Sequence, residues 1–141
     1  MKTLLAFGLM LVFAASAAAD GGDDTLRFFL SKSDLVVVGT VTSDPAGVEK
    51  EAGVVNYHCR VAVSEVLKGK VSTKGELAVN IIRFESAEED KLPYLKKGAK
   101  CILFLKSADP KTSSWETADV WFGVQQFSPW MARSLKRLAG Q

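Results

Sequence analysis

The 141-residue sequence predicts a mainly β domain with one helix before the strands and one after them. Three observations support this prediction. Segments rich in Val, Ile and Leu alternate with short clusters of Gly, Pro, Asp and Lys, a pattern typical of strands joined by turns. Apolar residues at helical spacing flank the strand segments on both sides. The length left for the folded part suits a single domain.

The first 19 residues predict a secretory signal peptide. Lys2 supplies a positive start, the run from Leu4 to Phe13 is almost entirely apolar, and small residues follow it up to Ala19. This pattern predicts cleavage between Ala19 and Asp20, and the apolar run is shorter than the roughly 20 residues that a membrane span needs. We therefore expect export to the periplasm or the extracellular space. Removing 19 residues from 141 leaves a mature chain of 122 without a transmembrane span.

Residues 20–33 predict an acidic lead-in followed by a short helix. The stretch from Asp20 to Asp24 is acidic and rich in glycine. A calcium loop is the alternative to a flexible segment there, but the spacing does not continue into a set of ligands. In the following stretch, Leu26, Phe29 and Leu30 repeat at the spacing of one helix face, which predicts a helix from Thr25 to Lys32.

Residues 34–127 predict five strands. In chain order they are Leu35–Val41, Val54–Leu67, Glu76–Phe84, Lys100–Lys106 and Trp115–Phe122. The first is apolar throughout, so both of its faces should be buried, and Gly39 in its middle predicts a bulge or bend. The second alternates in polarity, which places Cys59 on the buried face and His58 on the solvated one. The turn cluster that begins at Asp44 and the charged stretch up to Gly53 predict a loop.

Residues 128–141 predict an amphipathic helix docked on the strands. Ser128 is a good N-cap, Pro129 suits the first helical position, and Gly140 is the expected C-cap. Its apolar positions have helical spacing and are Met131, Leu135 and Leu138. A position on a membrane surface is the alternative, but the apolar stripe is narrow for that role.

Five short strands in a domain of this size predict the partly open Greek-key barrel known as the OB-fold. Closure would also remove the exposed edges of strands as apolar as these. The predicted fold class is therefore a five-stranded OB-like Greek-key β-barrel with a short N-terminal helix and a C-terminal helix.

Three segments resemble exported bacterial proteins with an OB-like barrel: Ser33–Val41, the turn Val66–Gly69 and Gly98–Leu105. The arrangement is similar to the barrel of tissue inhibitors of metalloproteinases and netrin-like modules. The tail from Trp115 to Ala139 resembles an uncharacterised exported bacterial family of the same kind. The resemblance implies the barrel fold but not the inhibition of metalloproteinases. Those inhibitors chelate the protease zinc through a Cys-x-Cys at the mature N-terminus, and this chain has no cysteine before Cys59.

The chain has two cysteines, Cys59 and Cys101. An even number in an exported chain favours a disulfide, which would close a loop of about 40 residues and stabilise the fold by roughly 3–4 kcal/mol. Two separate buried thiols are the alternative, since free cysteine packs like a small hydrophobe. The sequence leaves both alternatives open.

The residue types that build catalytic and metal sites form no recognisable set. His58 is the only histidine, and in a strand it points away from its neighbour Cys59, so the two cannot form a dyad. One histidine and two distant cysteines cannot complete a zinc site, and phosphate loops, nucleophile elbows and metalloprotease motifs are absent. The formal net charge is only +2, and acidic and basic residues are interspersed along the chain. A nucleic-acid binder would instead show a strong basic bias. We expect no metal, cofactor, nucleic acid or catalytic residue.

The sequence therefore predicts an exported, monomeric, non-catalytic binding or scaffold module whose partner is an extracytoplasmic protein or glycan. Recognition is expected on loops at the barrel rim. The residues predicted for this surface are Asp20, Pro45, Val48, Glu88, Glu89 and Asp90. The alternative function is a cell-envelope hydrolase with dispersed carboxylates.

Two further surfaces are candidates. Aromatic residues crowd the C-terminal region, where they could bind a partner or could pack the last helix against the barrel; they are Trp115, Trp121, Phe122, Phe127 and Trp130. Binding of an oligosaccharide or a single strand on the barrel face is a weaker option, because it needs exposed aromatics on the middle strands and only Tyr57 and Phe84 are available there.

Overall fold

The computed structural model describes residues 22–51, 53–71, 74–84, 95–109 and 114–140. Helix α1 includes residues 22–31. The strands are β1 (Leu35–Val41), β2 (Ala46–Glu51), β3 (Val54–Lys68), β4 (Glu76–Phe84), β5 (Lys100–Asp109), β6 (Ser114–Thr117) and β7 (Val124–Gln126), and helix α2 (Pro129–Ala139) follows them. None of the helices in these ranges is long and apolar enough to cross a membrane.

Five of the strands close into a ring. Strand β1 pairs antiparallel with β3 and with β5, and β3 pairs antiparallel with β4. The ring closes because β4 pairs parallel with β6, which pairs antiparallel with β5. This strand order is that of an OB-like Greek-key barrel. The fold class predicted from the sequence, a mainly β domain with five barrel strands and a helix at each end, is confirmed.

Strand β1 is apolar on both faces because it lies between two cores. Its first and third residues, Leu35 and Val37, point into the barrel, whereas Val36 and Val38 point toward the helices. The pairing of β1 with β3 shifts in register between Val38 and Gly39. The bulge or bend predicted at Gly39 is therefore present, and it accommodates the close approach of β3.

The two cores share no residue. The interior core fills the barrel and consists of Leu35, Val37, Val41, Cys59, Val61, Val63, Val79, Ile81, Cys101, Leu103 and Leu105. The helix-facing core lies between the barrel and the two helices and consists of Leu26, Leu30, Val36, Val38, Leu67, Ile102, Phe104, Phe122, Ala132 and Leu135. Each fully buried aliphatic or aromatic side chain contributes roughly 1.5–3 kcal/mol, so the helix-facing core is what holds α1 and α2 on the barrel.

Helix α2 has the ends that its sequence predicts. The Ser128 side chain accepts a hydrogen bond from the amide of Met131 at 3.3 Å, and Pro129 occupies the first turn. Gly140 has a left-handed backbone with φ of 76°, which ends the helix. Ala132 and Leu135 are buried against the barrel. These contacts place α2 against Ile102 and Phe104 of β5.

Helix α1 begins earlier than predicted. It includes Asp23 and Asp24, which the sequence assigned to a flexible lead-in. Both carboxylates are paired: Asp23 lies 3.3 Å from the guanidinium of Arg137 on α2, and Asp24 lies 3.4 Å from that of Arg27. The Asp23–Arg137 pair joins this part of α1 to α2.

Two predicted boundaries were wrong. The stretch from Val48 to Gly53 was expected to be a loop, but most of it belongs to β2, which pairs with the first residues of β3. Gly53, with φ of 77°, forms the turn of this hairpin. The predicted strand Trp115–Phe122 ends at Thr117, because Asp119 accepts a hydrogen bond from the amide of Trp121 and starts a turn instead. A short additional strand, β7, follows that turn.

Candidate binding surface

The residues predicted for a recognition surface at the barrel rim are only partly described. Asp20, Glu88, Glu89 and Asp90 lie outside the described residues. Pro45 is half-buried just before β2, and Val48 belongs to strand β2 instead of a loop. The predicted recognition surface at the barrel rim therefore stays a prediction.

The C-terminal aromatic residues divide into two groups. Trp115 packs against the interior core, and Phe122 and Phe127 pack in the helix-facing core. Trp121 and Trp130 instead remain 74% and 50% exposed. The sequence left open whether these aromatics pack inside the domain or bind a partner. Trp115, Phe122 and Phe127 pack inside it, and the exposed pair Trp121 and Trp130 is the part available to a partner.

A tightly built turn presents Trp121. The side chain of Asp119 accepts from the amide of Trp121 at 2.6 Å, and the carbonyl of Asp119 accepts from the amide of Gly123 at 3.0 Å. A Cβ on Gly123 would lie 2.4 Å from the Cβ of Thr117 and 2.6 Å from the carbonyl oxygen of Asp119. The turn therefore requires glycine at this position, and its backbone is held by two local hydrogen bonds.

The ring next to Trp121 anchors this turn in the helix-facing core. Phe122 stacks on Phe29 with ring centroids 4.2 Å apart and meets Phe104 edge-on at 5.7 Å. It also contacts Phe28 at 6.1 Å, edge-on. Phe28 is itself 53% exposed. Phe28 on α1 therefore contacts the buried ring of the residue that follows Trp121 in the turn.

Phe28 was not among the predicted site residues. The apolar stripe of α1 consists of Leu26, Phe29 and Leu30, and Phe28 lies outside it. An aromatic residue that departs from the buried stripe of a short helix is the sequence signal that could have identified it.

Trp130, on α2, is a third exposed aromatic residue, and it lies beside α1. One of its ring carbons lies 3.8 Å from the position that a Cβ on Gly22 would occupy, so the indole borders the first turn of α1. We call Phe28, Trp121 and Trp130 the aromatic surface. Two cations accompany it: the Lys32 ammonium lies 5.6 Å from the centre of the Phe28 ring, and Arg133 is exposed one turn after Trp130.

The outer face of the barrel carries a polar row across four strands. Backbone pairing places His58 beside Asn80, Asn80 beside Glu116, and Glu116 beside Lys106. His58 Nδ1 is hydrogen bonded to Asn80 Oδ1, and the Lys106 ammonium lies 3.7 Å from Glu116. The four side chains thus satisfy one another in pairs. His58 is exposed and Cys59 is buried, as the alternation in β3 predicted.

The aromatic platform that sugar or single-strand binding would need is not seen on the described middle strands. Tyr57 packs against the interior core, and the Phe84 side chain lies outside the described part. This leaves the aromatic surface beside α1 as the place where described aromatic rings face solvent.

Cys59 and Cys101 are separate buried thiols and form no disulfide, which is the second of the two alternatives that the sequence left open. Burial raises the pKa of Cys59 to about 11. Burial, with a smaller contribution from the charge of Cys59, raises the pKa of Cys101 to about 12. Both thiols are therefore protonated at neutral pH and unsuited to nucleophilic chemistry. Among the residues that the structure describes, no group of three or more His, Cys, Asp or Glu could hold a metal ion.

Compared with known proteins, the chain matches no family model and no curated protein.

Proposed function

We propose that this protein is an exported, non-catalytic binding or scaffold module that contacts its partner through the aromatic surface. The observation that carries the proposal is Trp121, which is 74% exposed on a turn built to hold it. Leaving a large apolar side chain in water forgoes roughly 1.5–3 kcal/mol that its burial would supply. A partner that covers the indole would recover this free energy.

The rigidity of the turn supports recognition. The two hydrogen bonds of Asp119 and the buried ring of Phe122 hold the backbone on either side of Trp121. A backbone held in place before binding loses less conformational entropy when a partner covers the side chain that it carries. Tryptophan anchors of this kind dominate the binding energy of many interfaces.

The protonation of the thiols and the pairing of the other polar side chains support a binding function over a catalytic one. The two thiols are protonated at neutral pH. His58 is engaged by Asn80. Carboxylates on several elements are paired with cations at the surface, as Glu65 is with Lys136 and Glu76 with Arg60. Groups engaged in this way are poor candidates for general acid–base chemistry, which needs a side chain positioned to exchange a proton with substrate.

Affinity capture from the native extracytoplasmic fraction tests the proposal, with the wild-type chain compared with Trp121→Ala. We expect a complex with the wild-type chain and a loss of at least about 10-fold with the variant, as for an interface anchor. His58→Ala on the polar row is the matched control and should retain the complex. Recovery of the same complex with Trp121→Ala, or a wild-type chain that binds neither a component of this fraction nor lipid vesicles, would contradict the proposal.

Export is tested separately by mass spectrometry of the protein from its native source. The expected product begins at Asp20, after removal of the first 19 residues. An intact N-terminus on protein recovered from the cytoplasm would overturn the exported part of the proposal and leave the binding surface unaffected.

A further inference from the structure

The aromatic surface points to a lipid bilayer as the partner. We propose that Trp121 and Phe28 insert into the headgroup region of a membrane that contains anionic lipid, with Lys32 and Arg133 beside the lipid phosphates. The inference rests on the proposed function, because it names the partner of the same surface.

The side-chain chemistry suits the interface between water and lipid. Tryptophan and other aromatic rings with a polar edge partition to the headgroup level of a bilayer, where one end is apolar and the other is wet. Trp121 and Trp130 are of this kind, and Phe28 adds a purely apolar ring. The three stand on a turn and on two helices, and lipid can surround single exposed rings without a fitted cavity.

The charges around the rings favour an anionic surface. Within the described residues, Lys32 and Arg133 form no ion pair with a carboxylate. The neighbouring Asp24 is neutralised by Arg27 at 3.4 Å. Of the other described acids on α1 and in the turn, Asp23 is paired with Arg137 at 3.3 Å, and the carboxylate of Asp119 accepts from the amide of Trp121. With the Asp23–Arg137 pair cancelling, Arg27, Lys32 and Arg133 against Asp24 and Asp119 leave the described part of the surface at +1, and a cation beside an anionic membrane strengthens binding.

The size of the surface disfavours a folded protein partner or a second copy of the chain. An aromatic side chain offers about 150–250 Å², and the exposed fractions are 74%, 53% and 50%. The exposed ring area is therefore roughly 300–400 Å². A stable protein interface buries about 800 Å² on each partner. Insertion into lipid needs no such area, because the apolar rings transfer individually.

Vesicle flotation with the mature chain tests the inference. The probes are phosphatidylcholine vesicles with about 30% phosphatidylglycerol and vesicles of phosphatidylcholine alone. We expect the wild-type chain to float with the first kind, with a blue shift of tryptophan emission. Trp121→Ala should lower the bound fraction about 10-fold, Phe28→Ala should lower it several-fold, and Lys32→Glu should abolish the preference for anionic vesicles.

The matched control is His58→Ala, which removes a side chain of the barrel's polar row and should float as the wild type does. All four substitutions are at exposed positions, and circular dichroism checks that each variant folds. The absence of wild-type flotation with both kinds of vesicle, or unchanged flotation of Trp121→Ala, would overturn the inference. If vesicles fail and a Trp121-dependent complex is still captured from the native fraction, the binding function stands and its partner is a protein.

Discussion

The ammonium group of Lys68 donates a hydrogen bond to the carbonyl oxygen of Leu30 at 2.6 Å, which joins the end of β3 to the last turn of α1. The same ammonium donates to the carbonyl oxygen of Ser33, also at 2.6 Å. Carbonyls at the end of a helix lack partners within it and carry the negative end of its dipole. One lysine of the barrel therefore binds a carbonyl of the last turn of α1 and a second carbonyl just beyond the helix, on either side of Lys32.

Replacing this lysine should loosen α1. We expect Lys68→Met to lower the free energy of unfolding by about 1–3 kcal/mol, because two backbone carbonyls lose a charged donor. Urea unfolding measures this loss, and hydrogen exchange should show α1 amides opening sooner than those of β1. Lys70→Met, at an exposed position two residues further on, is the control and should change stability by less than about 0.5 kcal/mol. Equal effects of the two substitutions would contradict the proposed tether.

Gly39→Ala should destabilise the barrel where β1 and β3 approach each other. The added Cβ would lie 2.4 Å from Val61 Cγ1 and 3.0 Å from the carbonyl oxygen of Ala62. Since such overpacking forces neighbours to move, we expect a loss of about 1–3 kcal/mol in thermal or urea unfolding. Gly22→Ala is the matched control, because the nearest atom to its added Cβ is 3.8 Å away. In helix α1 this change should be neutral or stabilising by up to about 1 kcal/mol.

The clash at Gly39 can be assigned to one neighbour with a double mutant. Val61→Ala removes the Cγ1 that the new Cβ would meet, at its own cost of a lost buried side chain. We expect the Gly39→Ala and Val61→Ala pair to be less destabilised than the sum of the single variants, since the two residues are in contact. Strict additivity would mean that the clash with the Ala62 carbonyl dominates.

Ser128→Ala should weaken the start of α2. The hydroxyl accepts from the amide of Met131, and loss of an N-cap costs about 1 kcal/mol. Unfolding by urea measures the change. Ser128→Asp keeps an acceptor at the cap and adds a charge favoured at a helix N-terminus, so its stability should match or exceed that of the wild type. A loss as large with Asp as with Ala would show that the hydroxyl acts in some other way.

The buried thiols predict how stability depends on alkaline pH. Burial raises the pKa of Cys101 from 9.0 to about 12, so between these values the unfolded chain loses a proton that the folded chain keeps. The contribution is complete below pH 9 and is lost as the pH rises toward 12. With one thiol the slope is at most about 1.4 kcal/mol per pH unit.

Urea unfolding of the reduced protein between pH 8 and about 10.5 checks this expectation, with Cys101→Ala as the comparison. The variant should be less stable at pH 8, because burial is lost, and the difference from the wild type should shrink as the pH rises. A difference that stays constant over this range would contradict it. The same protonated thiols should resist alkylation in the folded protein at pH 8 and react once it is unfolded.

Much of the fold is encoded locally and was therefore predictable. The bounds of β1 and β4 were predicted correctly, because each is a β-branched or apolar run flanked by turn residues. The caps of α2, Ser128 and Gly140, were also correct, since capping depends on the side chain and backbone freedom of single residues. Strand β2 was missed because the charged sequence from Glu49 to Glu51 has low β-propensity, and pairing with β3 overrides it.

The candidate site could be predicted only in part. The sequence identified the cluster that contains Trp121 and Trp130, but exposure depends on which neighbours cover a side chain, and neighbours come from distant segments. Phe122 is buried because Phe29 and Phe104 converge on it from α1 and β5. Trp121, the adjacent residue, is left outside by the turn at Asp119. No local pattern distinguishes these two aromatics.

The sequence by itself determined the bounds of β1 and β4, the bulge at Gly39 and the ends of α2, because each follows from backbone conformational preferences and short-range periodicity. Only the tertiary structure decided which aromatic rings meet solvent, that Cys59 and Cys101 remain separate thiols in one core, and that Lys68 holds the end of α1. These features depend on distances between segments far apart in the chain, and such distances arise only when the barrel closes and the helices dock on it.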